Sequence, residues 1–151
     1  LHVADGMILP NLKMSAETNA CPFLNEQGRC SIHSFRPGIC RVFPLGRIYE
    51  DGKLEYFLQA EGCVKQERSK VKVGKWLDTP DLKRNQKYLI DWHAFRKKIG
   101  EILAAMDDEN QKRMINLFLL KTFYIQPYDG SGDFYPQFYE RMEKLKQVIG
   151  N

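Results

Sequence analysis

Residues 21–44 read CPFLNEQGRCSIHSFRPGICRVFP and hold three of the four cysteines of the chain. Thiols, arginines and prolines are crowded here into one polar stretch that cannot pack as a hydrophobic core. Proline fixes its own φ and lacks an amide donor, so each one stops the chain from continuing as a helix. A segment of this kind needs an organiser other than apolar burial.

The rest of the chain supplies a core of its own. At 151 residues the sequence is expected to form a single domain, 1–151, long enough to bury apolar side chains without a disulfide or metal for bulk stability. Hydrophobic residues make up 43% and charged residues 28%, which excludes disorder as the default. From residue 79 the pattern is helical. Thr79 is expected as N-cap and Pro80 at the first helical position of a helix whose apolar stripe runs through Leu89, Trp92, Phe95, Ile99, Ile102, Leu103 and Met106. A second helix is expected over 109–125, marked by Met114, Leu117, Phe118 and Lys121. A third covers 134–149, with Phe138, Met142, Leu145 and Ile149 in register and Gly150 as its stop. Before residue 63 the clearest local signal is a hairpin, Arg47–Tyr49 and Leu54–Leu58 joined by Asp51-Gly52, a pair suited to the positive φ angles of a tight turn.

The expected fold is therefore α+β to mostly α. A loop-rich cysteine lobe, 1–63, carrying one β-hairpin would pack on a bundle of about three helices in 79–150. A net charge of +4, spread along the chain, leaves no basic stripe for nucleic acid. No apolar run reaches the roughly 18 residues of a membrane span. The chain starts at Leu1, so no targeting segment is legible, and the oligomeric state is not legible either.

Cys21, Cys30, Cys40 and Cys63 are separated by eight, nine and twenty-two residues. Four thiolates complete a tetrahedral zinc site or cap a four-iron cubane cluster. Zinc ribbons use close Cys-x2-Cys pairs, and none exists here, whereas a cubane accepts single ligands from several directions. Cys21-Pro22 also resembles the Cys-Pro that closes a ferredoxin run. A 4Fe-4S cluster is the expected cofactor, with zinc as the alternative. Either site would carry an overall charge of about −2. Arg29 beside Cys30, and Arg36 and Arg41 around Cys40, would offset that charge and favour thiolate, so Arg36 and Arg41 are expected to support the cofactor. Inert buried thiols with solvated arginines are the main competing reading, and disulfides the lesser one.

Four weaker patterns resolve more simply. Cys30-x2-His33 suggests an imidazole ligand, yet four sulfurs already suffice and His33 reads as a packing residue. Asp129, Ser131, Asp133 and Glu140 match a calcium loop, but Phe134 replaces the required glycine, so a turn followed by an Asp133 helix cap is expected. His93 reads as structural. The run from Val64, VKQERSKVKVGK, reads as a solvated connector, with a basic docking surface as its alternative.

Cys21–Leu24, Cys30–His33 and Arg36–Pro44 together resemble the zinc- or iron-chelating cysteine-cluster (YkgJ-like) family, whose members show Cys-Pro-Phe-Leu, Cys-x-Ile-Tyr and Arg-Pro-x-x-Cys-Arg-x-Phe-Pro. Cys63 matches a further cysteine that often follows. The resemblance covers roughly residues 7–63. It departs from the family at His33, where Tyr is common, and in lacking the N-terminal Cys-x2-Cys-x2-Cys-Cys run, which would lie upstream of Leu1. It implies a bacterial, cytoplasmic metal-binding protein of structural or electron-transfer role. Because the family includes flagellin lysine N-methylases, it also implies an alternative, a protein-modifying enzyme with a protein partner or substrate. The chain has no Gly-x-Gly-x-x-Gly motif for a nucleotide-type donor, and no radical-type Cys-x3-Cys-x2-Cys run.

Overall fold

A computed structural model describes residues 1–59 and 70–150. The fold is α+β and mostly α, with five α-helices and two antiparallel hairpins among the described residues. It divides into two compact units, Leu1–Asn11 with Trp92–Asn151, and Leu12–Asp91. No helix among the described residues is long and apolar enough to cross a membrane.

The first unit opens with a hairpin that the sequence reading did not include. Strands β1 (His2–Ala4) and β2 (Met7–Leu9) pair antiparallel, Ala4 opposite Met7. Asp5 and Gly6 turn between them at φ 52° and 74°. The signal was the same Asp-Gly pair that marks the other hairpin. Strands of three residues are held by little of their own, and a helical side chain completes them. Asn116 accepts from the Ile8 amide at 2.7 Å and donates to the Gly6 carbonyl at 3.0 Å.

That asparagine belongs to α4 (Glu109–Leu120), whose buried residues are Ile115, Asn116 and Leu119. Met114 and Leu117, expected to mark its packing, are exposed. The buried stripe runs through a polar residue that hydrophobic periodicity discounts. Asp108 caps the helix, accepting from the amides of Asn110 and Gln111. The expected continuation to Ile125 exists as a π-helical turn over Lys121–Ile125.

The longest helix, α3 (Leu82–Ala105), buries Phe95, Ile99 and Leu103 as its stripe requires. Its start differs from expectation. Asp81, rather than Thr79, accepts from the Arg84 amide at 3.3 Å, and the Thr79 hydroxyl instead donates to the Leu77 carbonyl. Asp81 sits at φ 45°, a left-handed conformation that a short polar side chain tolerates, and so places its carboxylate over the first turn. The last helix, α5 (Phe134–Ile149), matches its expected bounds, with Asp133 as cap and Gly150 at φ 67° after it. Phe138, Met142 and Leu145 are buried. The rings of Trp92, Phe123 and Phe138 meet with centroids 4.7 to 5.5 Å apart, an aromatic centre for the first unit.

The second unit is built differently. Strands β3 (Leu45–Glu50) and β4 (Lys53–Leu58) form the expected hairpin, longer by a residue or two at most ends, with Asp51 and Gly52 at φ 49° and 71°. Gly46 stands opposite Phe57, and any side chain there would collide with the Phe57 ring. Two five-residue helices, α1 (Gly38–Val42) and α2 (Val73–Leu77), supply Val42 and Leu77. Among the described residues of this unit, these are the only buried hydrophobic side chains.

Candidate metal centre

The first two cysteines flank one closed loop. The Leu24 amide donates back to the Cys21 carbonyl at 3.2 Å, a turn at Cys21-Pro22 that proline pre-sets. Leu24 and Cys30 then form an isolated antiparallel bridge, and the Ser31 amide donates to the Phe23 carbonyl at 2.8 Å. Between them Asn25 does the local work. Its side-chain oxygen accepts from the amides of Gln27 and Arg29, and Gly28 takes φ 70° to close the loop. The backbone thus brings Cys30 beside Leu24, three residues after Cys21.

Cys40 is delivered by another device. A short 3-10 turn, His33–Phe35, ends at Arg36 and Pro37, both in extended conformation, and α1 begins at Gly38. The Cys40 amide donates to the Pro37 carbonyl at 2.9 Å, which fixes it in the first turn. All three thiols are half-buried and free of disulfides. Cys63 lies outside the described residues.

Arg41 is committed to protein carbonyls. Its Nη1 donates to the Asp78 carbonyl at 3.0 Å and its Nη2 to the Ser34 carbonyl at 3.4 Å, with the Asp78 carboxylate 3.8 Å away. Those contacts tie α1 to the end of α2 and to the 3-10 turn. Trp76 reinforces them, its indole N–H donating to the Phe43 carbonyl at 3.1 Å. Arg36 is half-buried at the exit of the 3-10 turn, and Arg29 and His33 are exposed. The sequence marked these residues by their nearness to cysteines. It carried no sign of Asp78, 37 positions from Arg41, as the group that receives its guanidinium.

Soft sulfur donors, none spent in a disulfide, suit zinc or an iron–sulfur cluster and do not suit calcium or magnesium. Among the described residues no three His, Cys, Asp or Glu side chains converge as a metal-holding group. The donor chemistry therefore fits a thiolate-bound metal, while the described residues alone do not close a site. The calcium-loop pattern is used otherwise. Asp129 accepts from the amide and hydroxyl of Ser131, and Asp133 caps α5 by accepting from the Tyr135 amide. Hydrogen bonding to Ser131 holds the Asp129 carboxyl below its ordinary range.

Residues 4–73 match the model of the CxxCxxCC family, described as "Putative zinc- or iron-chelating domain". No curated protein and no solved structure matches the chain. The family description supports metal binding in general terms and names zinc and iron equally. The chain holds no Cys-x2-Cys pair, so the family's name-giving run is not among its 151 residues. Residues 4–73 are thus similar to this cysteine-cluster family.

Proposed function

We propose that this protein holds a metal centre through Cys21, Cys30, Cys40 and Cys63, a 4Fe-4S cluster in preference to a single zinc. The observation that carries the reading is the near-absence of a hydrophobic core around the described cysteines. Only Val42 and Leu77 are buried apolar side chains in the described part of that unit, against a full aromatic and aliphatic core in the other. Ordering the backbone costs about 1–2 kcal/mol per residue, which two side chains do not offset. Metal ligation contributes directly to folding in small cores of this kind.

The roles of the chain's own residues follow from their contacts. The Asn25–Gly28 turn holds the Leu24–Cys30 bridge three residues after Cys21, and Pro37 starts the helix that carries Cys40. Arg41 is a positioning residue, since its donors pin that helix through Asp78 and Ser34. A four-sulfur centre has no open coordination position, so the group would supply structure or electron transfer. An enzymatic role such as lysine N-methylation would require a non-cysteine position at the metal.

Anaerobic purification followed by iron, zinc and sulfide analysis and visible absorption tests the reading. Brown protein with iron and sulfide in proportion supports the cluster, and colourless protein with one zinc supports the alternative. Cys40→Ser should then release the metal. Folded protein free of metal from both aerobic and anaerobic preparations would overturn the proposal.

A further inference from the structure

The α1–α2 pair carries an unusual exterior. Phe35 is 74% exposed, Ile39 68%, Phe43 53% and Trp76 42%, and Val71 and Val73 are exposed beside them. Isolated exposed apolar residues need no explanation, whereas a cluster on one small substructure does. These belong together. The Trp76–Phe43 hydrogen bond and the Arg41 contacts to Ser34 and Asp78 join the 3-10 turn, α1 and α2 into one piece. Since the indole N–H is already satisfied, the surface that Trp76 still exposes is apolar ring. Its fixed position lowers the entropy lost on contact.

The charges carried by these segments are mostly positive. Residues 33–43 and 70–77 include Arg36, Arg41, Lys70, Lys72 and Lys75 and no Asp or Glu. The next acid in sequence, Asp78, faces Arg41 at 3.8 Å. An apolar centre with aromatic anchors and a charged rim is the anatomy of a protein interface, and a cationic rim steers an anionic partner.

We infer that this face is a docking surface for an acidic protein partner, seated beside Cys40. The inference names a partner for the proposed metal site and rests on that reading only for the purpose of the contact. Cys40 is the helix neighbour of Ile39, so a partner covering the patch would sit on the helix that carries the candidate ligand. A second copy of the chain fits poorly, because a two-fold interface would set the same cations against each other. A lipid surface also fits less well. Interfacial membrane helices present one long amphipathic face, and α1 and α2 have five residues each.

The test uses the full chain and a fluorescein-labelled peptide of alternating acidic and Leu/Phe residues, read by anisotropy, beside the same peptide with Lys for each acid. Saturable binding of the acidic peptide is expected, weakened by salt and by about tenfold or more in Phe35→Ser/Ile39→Ser. Lys72→Glu/Lys75→Glu should produce a similar loss without touching the apolar centre, and circular dichroism checks that both variants fold. The proposal is overturned by absent saturation, by unchanged affinity in the charge-reversed variant, or by preference for the Lys peptide. It is equally overturned if the protein dimerises through this face or sediments with phosphatidylserine vesicles in place of binding peptide. Metal analysis of the same samples separates the two readings. Metal-loaded protein that ignores the peptide removes the docking surface alone, and metal-free protein that binds it removes the metal centre alone.

Discussion

Arg141 shows how much one side chain can hold without any chemistry at stake. It is buried on α5, and its guanidinium donates to the carbonyls of Thr122, Gln126 and Pro127 at 2.7, 2.8 and 2.6 Å. Those carbonyls lie in and after the π-helical turn, where the ordinary helical donors have run out. The guanidinium also lies 3.6 Å from the Tyr128 ring centroid. Arg141→Met should strand three acceptors and cost about 3 kcal/mol by urea unfolding, with Arg141→Lys recovering only part of it. Burial raises the Tyr128 pKa above 10.0, and Arg141 opposes that rise. The half-buried phenol therefore contributes stability that is complete below pH 10 and lost as pH climbs through the raised value. In Arg141→Met, tyrosinate absorbance should appear at a higher pH than in wild type, because a favourable charge has gone. A lower onset would show that Arg141 does not face the phenol as described.

Helix ends carry the next lesson. Asp108 and Asp133 cap α4 and α5 from the positions that local sequence indicates, and the start of α3 shifts by two residues to Asp81. Asp81→Ala should therefore cost about 1 kcal/mol of stability, while Thr79→Ala stays within about 0.5 kcal/mol. Thermal unfolding followed at the helical signal distinguishes the two. Equal losses would return the cap to Thr79. The π turn after α4 has no comparable local mark. Its existence follows from how Arg141 and the aromatic centre receive Lys121–Ile125.

Across the whole molecule the two units differ in what orders them. One has Met7, Ile99, Leu119 and Leu145 with no exposure beyond a trace, and the other has loops, a hairpin and free thiols. Removing metal with a strong chelator should therefore raise amide exchange about tenfold or more at Gly28, Ser31 and Cys40. Ile8, bonded to Asn116, and the amides around Leu119 should keep their protection. Uniform loss across both units would show that the metal orders the entire chain, and no change would show that it orders neither.

Much of this protein was legible in residues that act on their neighbours. Asp51-Gly52, Asp133 and Gly150 specify turns and ends through their own φ and side-chain reach, and the α3 and α5 stripes follow from helical period. The cysteines and the Arg-Pro turn at 36–37 marked, by residue type and spacing, the segment that matches the zinc- or iron-chelating family model. Asp5-Gly6 was equally legible, since it uses the same turn chemistry. Tertiary structure alone decided the rest. Asn116 is buried because a hairpin 108 residues away needs a donor and an acceptor there. Arg41 turns to Asp78, and Arg141 to the carbonyls of a π turn, because a guanidinium bonds whatever acceptors the fold brings near. Local geometry is written in adjacent residues, whereas a polar side chain's partner depends on chain paths that meet only once the molecule has folded.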